Sequence, residues 1–145
     1  MPDTKTGFIR RGKSMTRVVL ADDHRMLRSI LKGFLESEPE IEVVAEAEDG
    51  LQALQAAAEF KPDVVISDLR MEKMDGLELA REIQETLPAT RVIILSMHND
   101  PAVISQAMEA GASGYVLKGT DLGDLLRAIE QVSSGQRYLS PALSV

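Results

Sequence analysis

Residues 63–68 read DVVISD, a short apolar run that closes on a serine and an aspartate. A continuous apolar run, as opposed to an alternating one, is typical of a parallel strand that is covered on both faces. The run RVIILS at residues 91–96 has the same character. We therefore predict two central strands of a parallel sheet, the first ending at Asp68 and the second at Ser96.

Three further apolar runs flank this pair, namely RVVLA at 17–21, EVVAEA at 42–47 and GYVLK at 114–118. Helical patterns separate all five runs, and Pro88, Gly111 and Gly135 mark helix ends. The sequence thus predicts five strands and five helices in an α/β, doubly wound parallel sheet. The apolar residues of the first and last helices are expected to face the sheet; they are Met26, Leu27, Ile30, Leu31, Phe34 and Leu35, then Leu122, Leu125, Leu126, Ile129 and Val132.

Length and composition indicate one soluble domain. The chain has 145 residues, of which 44% are hydrophobic and 27% charged, and it contains no cysteine. Disulfides, cysteine zinc sites and thiol nucleophiles are therefore excluded. No apolar run is long enough to span a bilayer or resembles a signal peptide, so we expect a cytoplasmic protein with no membrane partner.

Charge is unevenly distributed along the chain. Of 16 basic and 23 acidic residues, residues 1–17 hold five basic and one acidic, which leaves 11 basic and 22 acidic residues beyond them. An acidic domain does not release counterions from nucleic acid, so the folded part is not expected to bind DNA by itself.

Polar side chains end four of the predicted strands: Asp22 and Asp23, Asp68, Ser96 and Lys118. The carboxyl ends of parallel strands lie at one edge of a sheet, where such folds place their sites. Alone, each residue is explained as a helix cap, a strand-end hydroxyl or a surface charge. Together, three converging carboxylates favour a hard cation such as Mg²⁺.

The order and spacing of these residues resemble the response-regulator receiver family over residues 17–140. The matching segments are VVLADDH, VVISDLRMEKMDGLE, VIILSMH and AGASGYVLKG. The resemblance implies a flavodoxin-like sheet in the order 2-1-3-4-5. It also implies that Asp68 is the phosphoacceptor, and that the protein catalyses only its own phosphorylation and dephosphorylation, without being an enzyme otherwise.

The family's other functional residues carry over by position. Asp23, Asp68 and the backbone carbonyl of Arg70 would bind Mg²⁺, with Asp22 acting mainly through water, and Lys118 would hold a phosphoryl oxygen. Ser96 would sense the phosphoryl group and Tyr115 would change rotamer in response, so that the face formed by helix 4, strand 5 and helix 5 carries the output.

The segments ADDH, SMH, KG and AIEQVSSGQRYLSP further resemble the NarL-like subgroup, whose receivers precede a LuxR-type helix-turn-helix domain. We therefore expect an extension at 1–16, a receiver domain at 17–135 and the start of a linker at 136–145. The expected partners are a sensor histidine kinase, DNA only through an output domain absent from this chain, and a second copy of the receiver. The alternative is a stand-alone receiver that acts through protein contacts.

Three positions depart from the family pattern. Glu72 and Gly119 stand where many members have proline, and Met97 is bulkier than the usual residue. Glu72 is expected to loosen the loop after Asp68. His24 and His98 are interpreted as incidental loop residues.

Other readings fit less well. A flavin protein of this fold cradles phosphate in its first loop, where Asp22 and Asp23 would repel it. A haloacid-dehalogenase phosphatase resembles DxD at the nucleophile, whereas Arg70 occupies the second position here. A scaffold module has no need of Lys118 and Ser96 beside the acids.

Overall fold

Strands and helices alternate through the computed structural model, which describes residues 15–119, 121–141 and 143. The strands are β1 (Thr16–Ala21), β2 (Ile41–Ala47), β3 (Val64–Asp68), β4 (Arg91–Ser96), β5 (Gly114–Leu117) and β6 (Tyr138–Leu139). The helices are α1 (Arg25–Glu36), α2 (Gly50–Phe60), α3 (Gly76–Thr86), α4 (Pro101–Glu109) and α5 (Leu122–Ser133). The five predicted strands and five predicted helices are confirmed. Residues 1–14 of the expected N-terminal extension lie outside the described residues.

The strands form one parallel sheet in the order β2-β1-β3-β4-β5-β6. This confirms the doubly wound fold and the order 2-1-3-4-5, but the expected number of strands was one short. The extra strand, β6, has only two residues, too few for a recognisable apolar pattern. It lies within residues 136–145, for which the sequence predicts the start of a linker.

The two strands predicted to be central are the middle strands of the sheet. Every residue of β3 is buried, and in β4 only Arg91 is exposed. Helices on both faces divide the apolar side chains into two cores, one on the side of α2, α3 and α4 and the other on the side of α1 and α5. Helices therefore cover both faces of the sheet at its two central strands, whose carboxyl ends carry Asp68 and Ser96.

Helix α1 packs differently from the prediction. Met26 and Ile30 are 78% and 54% exposed, whereas Leu31 and Leu35 are buried together with Arg28. Residues 28, 31 and 35 recur at helical spacing and form the face that meets the sheet. Met26 and Ile30 lie outside that face, so the expectation that they point inward was wrong.

Helix starts follow the local sequence. The Asp75 side chain accepts a hydrogen bond from Glu78 N and forms a capping box at α3, and Asp100 caps α4 ahead of Pro101. In α5, Leu125, Ile129 and Val132 are buried as predicted. Leu122, the first residue of α5, is 37% exposed, which corrects the expectation that it faces inward.

Candidate functional site

The acidic residues predicted to converge do lie together at the carboxyl edge of the sheet. Asp22 and Asp23 directly follow β1, and Asp68 is the last residue of β3, the neighbour of β1 in the sheet. Asp22 N donates to Ala47 O at 3.1 Å, which ties the start of the loop to the end of β2. Asp22 and Asp68 are buried, whereas Asp23 is exposed.

Lys118 bridges the two buried acids. Its Nζ lies 3.3 Å from Asp22 Oδ2 and 3.2 Å from Asp68 Oδ2, and its side chain is 12% exposed. Lys118 N also donates to Ser96 O at 2.8 Å, which fixes the backbone of the lysine against the end of β4. The ammonium group therefore places a positive charge, largely shielded from solvent, between two carboxylates.

The charge balance at Asp68 is unfavourable for its ionised form. Burial raises the pKa of Asp68 above its ordinary value of 3.8, and the negative charge of Asp22 raises it further. The positive charge of Lys118 and hydrogen bonds from Lys118 and Leu69 oppose this rise without cancelling it. A second positive charge at this edge would stabilise the carboxylate.

The oxygen donors at this edge suit a hard cation. One ligand atom from each of Asp22, Asp23, His24 and Asp68 lies within 4.8 Å of the others. Asp22 Oδ2 is buried and has no hydrogen-bond partner among the residues that the structure describes. Its contact with Lys118 Nζ is electrostatic, without hydrogen-bond geometry. A buried carboxylate oxygen with unused lone pairs is available to a metal ion or to a water bound to one. The donor set fits Mg²⁺.

His24 belongs to this group, although the sequence interpretation left it out. Its Nδ1 lies 3.2 Å from Asp22 Oδ1 and 3.2 Å from Asp23 Oδ1, and its backbone N donates to Asp22 Oδ1 at 2.8 Å. The ring is 69% exposed. Its position directly after two acids was the signal that could have found it.

Arg28 is a second residue that the sequence interpretation missed. Its guanidinium donates from Nη1 to the Asp22 carbonyl at 2.5 Å and from Nε to Glu46 Oε1 at 3.0 Å. The Arg28 side chain is buried, and its contact with the Asp22 carbonyl is buried as well, whereas the Glu46 side chain is 36% exposed. Arg28 thereby holds the loop that carries the acids. The sequence carried no signal for it, because the apolar stripe predicted for α1 does not include position 28.

Ser96 and Tyr115 form a second group, joined through the backbone of His98. Ser96 Oγ accepts from His98 N at 3.0 Å, and the Tyr115 hydroxyl donates to His98 O at 2.8 Å. Both side chains are buried, and burial raises the pKa of the Tyr115 phenol while a hydrogen bond with Ser96 acts in the opposite direction. The N–H and the carbonyl of His98 thus link Ser96, at the end of β4, to Tyr115 in β5.

The loop between β3 and α3 is anchored despite the glutamate at position 72. Met74 N donates to Glu72 O at 2.7 Å, Gly50 N approaches the same carbonyl at 3.5 Å, and Lys73 Nζ lies 3.7 Å from Asp49 Oδ2. These contacts join the loop to the start of α2, and the loosening expected from Glu72 stays a prediction. Arg70 lies in the loop, two residues after Asp68, with an exposed side chain.

Gly119, the other site of a missing proline, has a φ of 83°, which a proline ring cannot adopt. No peptide bond among the described residues is cis.

Residues 18–130 match the family of the response regulator receiver domain. The chain belongs to this receiver family. The transcriptional regulatory protein DegU of Brevibacillus brevis is 37% identical over 128 residues, covering 88% of this chain and 54% of the relative. The transcriptional regulatory protein LiaR of Bacillus subtilis is 41% identical over 125 residues, covering 86% of this chain and 59% of the relative. The receiver chain thus spans little more than half the length of these relatives.

Solved structures agree with this assignment. A LuxR-family two-component response regulator from Aurantimonas sp. SI85-9A1 has a TM-score of 0.86 and 39% identity, covering 90% of this receiver and 93% of that chain. The signal receiver domain of NarL from Mycobacterium tuberculosis has a TM-score of 0.82 and 34% identity, covering 85% and 99%. The resemblance to NarL-like and LuxR-family regulators is confirmed.

These matches set the general class of the protein. It is a receiver of a two-component system, not a conventional enzyme, and its acidic cluster is typical of the magnesium site of receivers. Receivers partner with histidine kinases. Among the residues that the structure describes, no helix combines enough length with enough apolar character to cross a membrane.

Asp68→Asn is expected to stabilise the metal-free receiver at pH 7 by about 1–3 kcal/mol, because it removes a charge from a poorly solvated acidic site. Because the pKa of Asp68 is higher in the folded state than its ordinary value of 3.8, protonated Asp68 favours the fold, fully so below pH 3.8. This contribution to stability is lost as the pH rises through the pKa of Asp68 in the folded state. The gain from the substitution should therefore grow as pH rises from 4 to 7. Urea unfolding in EDTA measures it.

The matched control for this experiment is Glu59→Gln, at an exposed acid on α2, which should leave stability unchanged. A metal-free Asp68→Asn receiver that is less stable than the wild type at pH 7 contradicts the electrostatic description of the site.

Proposed function

We propose that this receiver accepts a phosphoryl group on Asp68 from a sensor histidine kinase, in a Mg²⁺-dependent reaction. The observation that carries the proposal is the placement of the Lys118 ammonium between two buried acids, 3.2 Å from Asp68 Oδ2 and 3.3 Å from Asp22 Oδ2. Within the described part of the chain, that Asp22 oxygen has no hydrogen-bond partner. A site with this charge pattern suits an incoming group whose oxygens are negative and whose counterion is a hard cation.

The proposed metal ligands are Asp23, Asp68 and the backbone carbonyl of Arg70, with Asp22 acting mainly through water. Mg²⁺, when bound, supplies positive charge to the phosphoryl oxygens and to the crowded carboxylates. Arg28 supports this arrangement because its hydrogen bond to the Asp22 carbonyl fixes the loop from which Asp22 and Asp23 project.

The transfer itself requires little covalent chemistry from the protein. One carboxylate oxygen of Asp68 forms a bond to phosphorus while the bond between phosphorus and the imidazole nitrogen of the kinase phosphohistidine breaks, and the electron pair stays on that nitrogen. During the transfer, the Lys118 ammonium exchanges its ion pair with the Asp68 carboxylate for one with a phosphoryl oxygen. The ammonium is already desolvated, so little reorganisation is needed.

The switch that follows uses Ser96 and Tyr115. Ser96 Oγ accepts from His98 N, and its hydroxyl would donate to a phosphoryl oxygen once that group is bound. A move of Ser96 towards the phosphoryl group shifts His98, whose carbonyl accepts from the Tyr115 hydroxyl. The rotamer of Tyr115 then reports phosphorylation on the face formed by α4, β5 and α5.

The proposed biological role is control of transcription through a DNA-binding domain attached after the receiver, because DegU and LiaR are transcriptional regulators. In this proposal residues 1–16 are an extension, 17–135 the receiver and 136–145 the start of a linker. The protein acts in the cytoplasm, and receivers pair as homodimers when target half-sites are two-fold related.

Titration with beryllium fluoride, a stable mimic of the phosphoryl group, tests the proposed site by calorimetry. We expect saturable binding in Mg²⁺, no binding in EDTA, and no binding to Asp68→Asn, with Glu59→Gln as the control that binds normally. Absence of binding to the wild type in Mg²⁺ would overturn the proposal.

A further inference from the structure

The segment after α5 folds back along the outer edge of β5. Tyr138 N donates to Ser113 O and Ser140 N donates to Tyr115 O, both at 3.0 Å. Tyr138 joins the core on the side of α1 and α5, whereas Leu143 is buried in the core that contains Tyr115. Residues 138–141 and 143, here termed the return segment, therefore cover the sheet edge that belongs to the proposed output face.

A buried acid on α5 holds the return segment in place. Asp124 is 3% exposed, and its two carboxylate oxygens accept hydrogen bonds from the hydroxyls of Tyr138 and Ser140, the latter at 2.5 Å. Arg127 Nη2 lies 3.7 Å from Asp124 Oδ1. Hydrogen bonds to an ionised group are stronger than neutral ones, and a buried carboxylate without them is costly. The Asp124 carboxylate thus anchors the return segment to α5.

Ser140 connects the Asp124 carboxylate to β5. Its hydroxyl oxygen accepts from Leu117 N at 3.1 Å while its proton goes to Asp124. The Ser140 hydroxyl thereby replaces the backbone carbonyl that a longer β6 would offer as acceptor. The hydrogen bonds between this segment and β5 therefore extend to Leu117, the residue before Lys118. The return segment contacts β5 at both the switch tyrosine and the neighbour of the phosphoryl-binding lysine.

We propose that the return segment is a built-in ligand of the face formed by α4, β5 and α5, and that its docking on Asp124 is coupled to the inward position of Tyr115. This inference rests on the proposed phosphorylation of Asp68. In this proposal, movement of Ser96 towards the phosphoryl group carries the His98 backbone with it and holds the Tyr115 hydroxyl inward, which strengthens docking of the return segment. Outward movement of Tyr115 weakens that docking. The return segment is then the first element to carry the signal towards whatever lies beyond the receiver fold.

Coupling of this kind is reciprocal. If a phosphoryl mimic strengthens docking of the return segment, then docking must strengthen binding of the mimic by the same factor. Weaker docking of the return segment on Asp124 should therefore weaken binding of beryllium fluoride, even though Asp124 is not one of the residues of the acidic cluster.

Hydrogen exchange measured by mass spectrometry on the peptide spanning residues 136–143 tests the coupling. In the wild type, Mg²⁺ and beryllium fluoride should slow exchange of this peptide. Asp124→Ala should speed exchange at least about tenfold without the mimic, because two hydroxyls lose a charged acceptor. The same variant should bind the mimic several-fold more weakly. Glu130→Ala, at an exposed acid on the same helix, is the matched control.

Tyr138→Phe covers the case in which Asp124→Ala does not fold, because it removes one hydroxyl and keeps the ring packing; its exchange should rise by a smaller factor. If the mimic binds but exchange at 136–143 does not change, or if both variants exchange like the wild type, the return segment is a static part of the fold and this inference is overturned while the proposed function stands. If the mimic does not bind the wild type at all, both fall.

Discussion

Replacing Lys118 with methionine is expected to lower the rate of phosphoryl acceptance from acetyl phosphate by about 10²–10³-fold, the usual loss when one preorganised donor is removed from a site of developing negative charge. Methionine keeps the unbranched shape and most of the length of the lysine side chain, so the main property removed is the charge. The ammonium lies 3.2 Å from Asp68 Oδ2 and is nearly dry, which makes it more effective than an exposed lysine.

The same substitution should also destabilise the metal-free receiver. It leaves Asp22 and Asp68, whose side chains are 4% and 10% exposed, facing each other without a counter-charge. We expect a loss of about 2–3 kcal/mol at pH 7, less than for a fully buried pair because Asp68 retains some contact with solvent. Saturating Mg²⁺ should restore part of the loss, and Asp68→Asn in the same chain should restore most of it.

Lys61→Met is the matched control for this substitution, because Lys61 is exposed at the end of α2 and precedes β3, whose opposite end carries Asp68. It should change neither the rate nor the stability. A Lys118→Met receiver that is phosphorylated within threefold of the wild-type rate contradicts the role given to this lysine.

Gly50→Ala is expected to destabilise the fold by about 3 kcal/mol, the upper part of the range for overpacking. A Cβ at this position would lie 1.8 Å from Met74 O and 2.6 Å from Met74 C. These are backbone atoms of the loop between β3 and α3, so the clash cannot be relieved by a side-chain rotation. The loop must move, and with it the Arg70 carbonyl proposed as a metal ligand. Mg²⁺ affinity should therefore fall as well.

The same substitution, glycine to alanine, is expected to stabilise the fold at Gly33. Gly33 lies within α1, and a Cβ there meets nothing within 4 Å. Alanine reduces the freedom of the unfolded chain and favours the helix, so a gain of about 0.5–1 kcal/mol is expected. Urea unfolding of both variants measures the two effects. Equal effects at the two glycines would contradict the close packing of the loop on α2.

The sequence predicted the central sheet and the acidic edge because both depend on short-range patterns. Continuous apolar runs identify strands buried on two faces, and residues that directly follow such strands must meet at one edge. Asp22, Asp68 and Lys118 were found in this way, although they are far apart in sequence.

Features that depend on contacts between distant segments were missed. Arg28 reads as an ordinary helix residue until Glu46 and the Asp22 carbonyl are seen beside it. The two residues of β6 carry no periodicity, and their place in the sheet depends on hydrogen bonds to β5 and on the carboxylate of Asp124. The exposure of Met26 follows from the exact rotation of α1 on the sheet, which an apolar stripe defines only coarsely.

Intact-mass spectrometry after exposure to acetyl phosphate tests most directly whether Asp68 is the phosphoacceptor. The wild-type receiver should gain one phosphoryl group in Mg²⁺ and none in EDTA, and Asp68→Asn should gain none under either condition. A phosphoryl adduct of the same extent on Asp68→Asn, or on the wild type in EDTA, would contradict the assignment of Asp68 and its metal-assisted chemistry.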